Sequence, residues 1–269
     1  VLLIMQSKNL SMFANVWMRF KAAFVANGGW SSKKNIAYII LFLWGFHTFL
    51  REQGWLRKKS VKGKHIFITG AGSGLGRSLA QKFAKKGAKL TLSDVNVEGL
   101  EETKRIIKSE TGTDLNVNCQ RLDVSSRQNV SELAAQCKDL FGDVDILINN
   151  AGVVQVKPIT EQNEKFAGKV MAINAECHFW LVREFIQPMM RKNSGHIVSV
   201  SSIAGIAGTP GMTDYCASKF AAYGFNEALR QEMKHFGKTG VTCTTICPFY
   251  FNTGMFDGVK CSLIYPLLD

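Results

Sequence analysis

Tyr215 and Lys219 stand four residues apart, and Ser202 lies thirteen positions before the tyrosine. On a helix the first two share a face, one turn apart. A free phenol, with a pKa of about 10, is a poor acid or base at neutral pH. An ammonium beside it favours the phenolate and lowers that value, so the group can exchange a proton near neutrality. Ser202 adds a hydroxyl able to hold a carbonyl or alcohol oxygen against the phenol. Together the three suit proton transfer at an oxygen-bearing carbon. By itself Tyr-x-x-x-Lys arises on many helices by chance, so its weight depends on its surroundings.

Upstream, the apolar run from His65 to Thr69 leads into Gly70-Ala-Gly-Ser-Gly-Leu-Gly76. Leu75, Leu79, Ala80 and Phe83 then recur at helical spacing. Strand, glycine turn and helix form the context that makes a glycine pattern a dinucleotide-binding hypothesis. The spacing Gly70-x-x-x-Gly74-x-Gly76 is a longer turn than strict G-x-G-x-x-G, but the physics is shared. Glycines permit tight backbone geometry, and a helix N-terminus offers unpaired N–H groups to a pyrophosphate. A plain glycine-rich connection is the competing explanation, and the flanking strand and helix weigh against it. The second strand ends at Asp94, 24 residues after Gly70, about the separation at which a carboxylate meets the adenosine ribose. A carboxylate there accepts from a free 2′-hydroxyl and repels a 2′-phosphate, and Val95 supplies no compensating cation. NAD is therefore expected rather than NADP. Arg77, at the helix start, either softens that preference or is a solvated helix charge.

The elements that must position these residues alternate. Strand-like runs fall at 65–69, 88–93, 117–122, 145–149, 195–201 and 241–246, and helical patterns at 75–86, 97–109, 126–141, 161–192 and 213–236. This order predicts an α/β, doubly wound Rossmann fold: a parallel sheet between two helical layers, with right-handed crossovers. Ligands then sit at the carboxyl ends of the strands, where Gly70, Asp94, Asn150, Ser202 and Pro248 all fall.

These motifs together resemble the short-chain dehydrogenase/reductase family over about residues 62 to 256. Residues 69–76 look like its cofactor loop, Asp123-Val124 like the pair flanking the adenine ring, and Asn149-Asn-Ala-Gly152 like the motif closing the fourth strand. Asn174, Ser202, Tyr215 and Lys219 look like its catalytic tetrad. The resemblance implies that Tyr215 is the acid/base and that Ser202 orients the substrate oxygen. Lys219 would lower the tyrosine pKa and hold the nicotinamide ribose, while Asn174 supports a water in a proton relay. It further implies cofactor contacts from Gly70, Ser73, Gly74, Leu75, Gly76, Asp94, Asp123, Val124, Asn150, Ala151, Gly152, Tyr215, Lys219 and Pro248, and substrate contacts from Ser202 and Tyr215. Residues 195–200, 214–222, 237–240 and 245–256 look like the branch of epidermal-type retinol dehydrogenases and lipid-droplet 17-beta-hydroxysteroid dehydrogenases. That branch implies lipophilic alcohols as substrates. Pro248-Phe249 departs from the family's usual Pro-Gly.

Composition is consistent with this. The 269 residues suit one α/β domain with an appendage. Seven dispersed cysteines, without C-x-x-C or histidine spacing, argue for reduced thiols and against a disulfide framework or metal site. Cys216 reads as a packing residue, and histidines 65, 178, 196 and 235 as structural. The net charge of +12 is localised, because residues 1–64 hold eleven Lys or Arg against Glu52, a net of +10. A basic segment usually suggests nucleic acid. Here it brackets Ile36 to Leu50, which has no Asp, Glu, Lys or Arg and is rich in aromatics, as a membrane interface selects. As a helix the run would span about 22 Å, short of a roughly 30 Å hydrocarbon core. A tilted span, hairpin or monotopic anchor fits better than an unambiguous transmembrane helix. A cleaved signal peptide is the rival, disfavoured by the run's distance from the N-terminus. Residues 1–30 carry Phe13, Val16, Trp17, Phe20 and Phe24 at helical spacings, a second interfacial helix by pattern.

The expected organisation is a membrane-associating segment at 1–50, a basic linker at 51–64 and the dehydrogenase-like domain at 65–269. The chain would sit at the endoplasmic reticulum membrane or a lipid droplet with that domain facing the cytosol, and a homodimer is open to it. The family continues through a further helix and a seventh strand beyond Asp269, so a partial gene model or a truncated paralogue is expected. The leading reading is an NAD-dependent dehydrogenase of retinol-like or hydroxysteroid alcohols. The rivals are an NADP-linked carbonyl reductase and a catalytically silent membrane scaffold.

Overall fold

The structure, a computed structural model, describes residues 39–47 and 59–249. The chain divides into two units, Val1–Ser60 and Val61–Asp269. In the first, residues 39–47 form a helix that exposes Ile40, Leu41, Leu43 and Trp44 and stacks Phe42 on Phe46. Among the described residues, no helix is long and apolar enough to cross a membrane. The remainder of the expected anchor and linker, the helix expected within 1–30 and the C-terminal 250–269 lie outside the described residues.

The second unit is built on a six-stranded sheet ordered β3-β2-β1-β4-β5-β6. The strands are β1 (His65–Thr69), β2 (Lys89–Asp94), β3 (Val117–Arg121), β4 (Ile146–Asn149), β5 (Gly195–Val200) and β6 (Val241–Ile246). Every adjacent pair is parallel. β1 is central and buried at all five positions, which is why its sequence is nearly continuously apolar rather than alternating. Its side chains still alternate: Phe67 enters one core, and Ile66 and Ile68 the other.

Helices α1 (Gly74–Ala84) and α2 (Val97–Thr111) seal the second core through Ala80, Leu100 and Ile107. The first core is sealed by α3 (Arg127–Phe141), α5 (Cys177–Lys192) and α6 (Thr213–His235), with α4 (Glu164–Met171) preceding α5. Burying a side chain such as Phe67, Leu147 or Ile197 contributes about 1.5–3 kcal/mol. Caps fix the helix starts, since the side chains of Asn96 and Ser126 accept the backbone N–H of Gly99 and Asn129. Because successive strands run outward from β1 one way and from β4 the other, a crevice opens at their carboxyl ends.

The predicted strands and four of the five helices lie within two residues of the observed ends, and the doubly wound fold is as expected. The departure is 161–192, expected as one helix. Asn163 caps a fresh start at α4, and a π turn over Ala172–Glu176 separates α4 from α5. No residue type marks this turn, so it is not legible in the sequence, and such turns concentrate at functional sites.

Candidate active site

The glycine loop is shaped by contacts that leave no room for a side chain. Gly70 and Gly74 adopt positive φ. A Cβ on Gly76 would lie 2.1 Å from the Gly70 carbonyl oxygen, so α1 starts hard against the turn. Ser73, at the N-cap, is exposed and makes no side-chain cap bond. The first N–H groups of α1 therefore face the crevice with no side chain answering them. Thr69 anchors the base: its Oγ1 accepts from the N–H of Asn150 and Ala151, both at 3.0 Å. Asn150 Nδ2 donates to the carbonyls of Thr69 and Gly70.

Asp94 ends β2 with one carboxylate oxygen accepting from Gly72 N at 2.9 Å and the other from Asn96 N at 3.0 Å. Each oxygen keeps a lone pair for a ribose hydroxyl. Asp123 is half-buried and accepts from the Ser125 hydroxyl, which lowers its pKa first, with the Ser125 N–H adding to the effect. Val124 beside it is buried. The cradle of glycines, the open helix start and the carboxylate fit a dinucleotide.

Arg77 is not a solvated helix charge. Its guanidinium bonds to the carbonyl of Gly72, to Gly99 O at 3.3 Å and, through Nε, to Thr103 Oγ1 at 3.0 Å. Thr103 in turn donates to Ala71 O and Gly99 O, both at 2.9 Å. Arginine and threonine thus staple the loop to α2. The sequence placed Thr69 in the cofactor loop without a bonding role and assigned nothing to Thr103. A threonine directly before a glycine turn is the one signal available for Thr69.

Tyr215 and Lys219 occupy the first turns of α6, and both are buried. Lys219 Nζ donates to Val200 O at 3.0 Å and lies 5.6 Å from the Tyr215 ring centroid, over its face. Burial pulls the lysine pKa down to about 8, so the ammonium persists at neutral pH. The expected lowering of the tyrosine by the lysine is not what the structure gives. Burial pushes Tyr215 above its ordinary value, and the Ser202 hydroxyl pulls it partly back. The ammonium meets the ring face, and its hydrogen bond goes to Val200. Ser202 caps a short turn at Ile203–Gly205, its Oγ accepting from Ala204 N at 3.1 Å.

Asn174 sits in the π turn, fully buried. Its Oδ1 accepts from Val153 N at 2.8 Å, and its Nδ2 donates to Val153 O at 2.9 Å and Ser218 Oγ at 3.0 Å. It therefore clamps the segment after β4 to α6. A Cβ on Gly152 would lie 3.4 Å from both Asn174 Oδ1 and Lys219 Nζ, so Gly152 brings backbone close to these two side chains. Pro248 joins through its carbonyl, which accepts from Ile203 N at 2.9 Å. The structure gathers every predicted site residue around the carboxyl ends of the strands. Val154 and Val156 pack on Ala204, Met212, Tyr215 and Cys216, an apolar wall beside the phenol that confirms Cys216 as packing.

Among the described residues there is no cluster of His, Cys, Asp or Glu able to hold a metal. The six described cysteines are free thiols, and burial pushes Cys177 up to about 12. His65 is structural: Nδ1 donates to Gly142 O, leaving Nε2 to accept from Thr91 Oγ1, each at 2.9 Å. Burial lowers His65, and it lowers His178 to about 3. The unfolded chain binds these protons below about pH 6.5, whereas folded His178 binds one only near pH 3, so stability falls as pH drops through that window. At pH 5 the loss from His178 is about 2 kcal/mol. Thermal melts from pH 7.5 to 5 should show a falling Tm, with a shallower slope in His178→Leu; equal slopes would refute the assignment.

A family model described as short chain dehydrogenase matches residues 64–261. Short-chain dehydrogenase/reductase family 16C member 6 of Bos taurus is 48% identical over 212 residues, 79% of this chain and 66% of that protein. Epidermal retinol dehydrogenase 2 of Mus musculus is 43% identical, covering 79% of this chain and 69% of that one. Estradiol 17-beta-dehydrogenase 11 of Pongo abelii is 42% identical, covering 77% and 68%. The chain thus spans about two thirds of the length of these relatives. A crystal structure of a short chain dehydrogenase/reductase from Burkholderia phymatum in complex with NAD superposes with a TM-score of 0.70 at 35% identity, covering 74% of this chain and 70% of that one.

Proposed function

The chain belongs to the short-chain dehydrogenase family, and on that premise we propose that it is an NAD-dependent dehydrogenase of a lipophilic alcohol, retinol-like or hydroxysteroid. The observation that carries this reading is the Tyr215–Lys219–Ser202 group, closed by Asn174, at the crevice beside the glycine loop. The similarity to an epidermal retinol dehydrogenase and an estradiol dehydrogenase, and the apolar wall of Val154, Val156 and Met212, support the substrate class.

A nicotinamide held in that crevice would supply the acceptor for the hydride that leaves the carbinol carbon. Once deprotonated to the phenolate, which the Ser202 hydrogen bond favours, Tyr215 would accept the hydroxyl proton while Ser202 holds the same substrate oxygen. The Lys219 ammonium, fixed by Val200, would stabilise negative charge developing on the phenol and would hold the nicotinamide ribose. Gly70, Ser73, Gly74, Leu75 and Gly76 would receive the pyrophosphate, Asp94 the adenosine ribose, and Asp123 and Val124 the adenine. Asn150, Ala151, Gly152 and Pro248 would line the nicotinamide end.

We further assign residues 1–50 to membrane or lipid-droplet association, 51–64 to a basic linker and 65–269 to the catalytic domain, facing the cytosol. The exposed Ile40, Leu41, Leu43 and Trp44 support the first assignment. Oxidation of a panel of lipid alcohols by membrane fractions carrying the full chain tests the whole reading. NAD binding without turnover of any alcohol would return the chain to the scaffold reading.

The cofactor choice has its own test. In Asp94→Ala, loss of a charged hydrogen bond worth about 1.5–3 kcal/mol should weaken NAD roughly 10- to 100-fold. NADP, relieved of repulsion, should gain. Because Asp94 also holds Gly72 and Asn96, the informative quantity is the ratio of the two Kd values. An unchanged ratio would remove Asp94 from the ribose.

A further inference from the structure

Behind Lys219, buried polar side chains leave atoms without a hydrogen-bonding partner: both amide atoms of Asn149, the Ser199 hydroxyl, both ring nitrogens of His178 and Asn226 Oδ1. All four residues are at most 1% exposed. The topology places them together. Asn149 and Ser199 are register partners on β4 and β5, and Ser199 pairs with Thr245 on β6. By alternation, Asn149 lies on the face of Leu147, Ser199 on that of Ile197 and Thr245 on that of Cys243, all of which belong to or pack on the core under α3, α5 and α6. Asn226 reaches the same row from α6, its Nδ2 donating to Thr245 Oγ1 at 2.8 Å. His178 enters from α5, four residues after Asn174, with its ring edge-on to Phe225 of α6 at 6.1 Å.

This row lies one position below the catalytic lysine. Lys219 Nζ bonds to the carbonyl of Val200, the residue after Ser199, and Ser201 Oγ donates to Lys219 O at 2.8 Å. Asn174 is not part of it, because its amide is bonded to Val153 and Ser218. Buried polar atoms without partners are destabilising, and native cores rarely gather several in one place. An amide, a hydroxyl and an imidazole are uncharged and offer both donors and acceptors, the mixture that an interior water uses to make its two to four bonds. The low pKa of His178, about 3, keeps it neutral and so both donor and acceptor at working pH.

We propose that Asn149, Ser199, His178 and Asn226 form an interior water-binding site beneath Lys219, and that the water held there solvates and positions the lysine ammonium. The positioning half rests on the catalytic reading above; the hydration half does not. The titratable groups around Lys219 are Tyr215 on its own helix, Cys177 and His178 on α5, and Cys247 after β6. None is a carboxylate that could replace the water.

The test uses the full chain and Asn149→Leu, with Ser199→Ala as the milder variant should the first fold poorly. If the site were dry, exchanging an unpartnered amide for an apolar group of similar shape would raise Tm. With water bound, Tm falls by a few degrees, and an atomic-resolution crystal structure of the wild type shows water bridging Asn149, Ser199 and His178. A raised Tm, or that space closed by protein atoms, overturns the site. For the lysine, whose burial pulls its pKa down to about 8, loss of the water should lower that pKa by about one further unit. Alcohol oxidation then drops roughly tenfold at pH 9 but only about twofold at pH 7. An equal drop at both pH values overturns the positioning role. Inactivity of the wild type on every alcohol would overturn the proposed function and leave the water site to be decided by Tm and density.

Discussion

Tyr215→Phe lowers kcat for alcohol oxidation by roughly a thousandfold while NAD binding and Tm stay close to wild type. A positioned acid/base contributes on the order of 10²–10⁴ in rate, and the substitution deletes only the hydroxyl. The ring still packs on Ala204, Met212 and Cys216, and the Lys219 ammonium still rests over its face at 5.6 Å. Removing a buried hydroxyl also removes a desolvation cost, which is why stability should not suffer. Steady-state kinetics with a titration of NAD decides it. Activity within threefold of wild type would show that Tyr215 does not carry the proton. A parallel loss of NAD binding would mean that its role is architectural.

Gly76→Ala has the largest expected structural effect. The new Cβ would lie 2.1 Å from the Gly70 carbonyl oxygen and 2.7 Å from Asn150 Nδ2. Neither neighbour can yield cheaply, because Asn150 Nδ2 holds the Thr69 and Gly70 carbonyls and Gly70 itself turns at positive φ. Overpacking of this kind costs about 3 kcal/mol, a fall in Tm of roughly 6–12 °C. The loop that should receive the pyrophosphate is displaced as well, so NAD affinity should drop by about a hundredfold or more. Gly168→Ala is the control. A Cβ there meets nothing within 4 Å, and α4 should gain up to about 1 kcal/mol in helix propensity. If Gly76→Ala melted and bound NAD like Gly168→Ala, the tight approach of α1 to the turn would be wrong.

Gly76 also shows how much can be read before folding is considered. Its place in strand, glycine turn and helix is local, and so the loop, the carboxylate at the end of β2 and the alternation of elements were all legible in order. The strands could be assigned because β1 and β4 are mostly apolar, whereas β2 alternates apolar and polar residues along Lys89–Asp94. Tyr215, Lys219 and Ser202 were legible by type and spacing along the chain, whereas Asn174 came only from the family resemblance. The π turn between Met171 and Cys177 was not legible, since no residue type or short motif marks it. Arg77 could not be placed either, because its partners Thr103 and Gly99 lie more than twenty residues away on another helix.

The amino-acid sequence alone determined which chemistry this chain carries: a phenol, an ammonium, a hydroxyl and a dinucleotide loop, each a matter of residue type at short separation. Tertiary structure decided how those groups are poised. Burial raises Tyr215 where spacing to Lys219 implied a lowered pKa, and the lysine is held by Val200 with its charge over the ring face. Strand register brings Asn149, Ser199 and Asn226 into one buried row with His178. Desolvation and register are sums over neighbours distant in sequence, so no local pattern encodes them. They exist only once the sheet has closed.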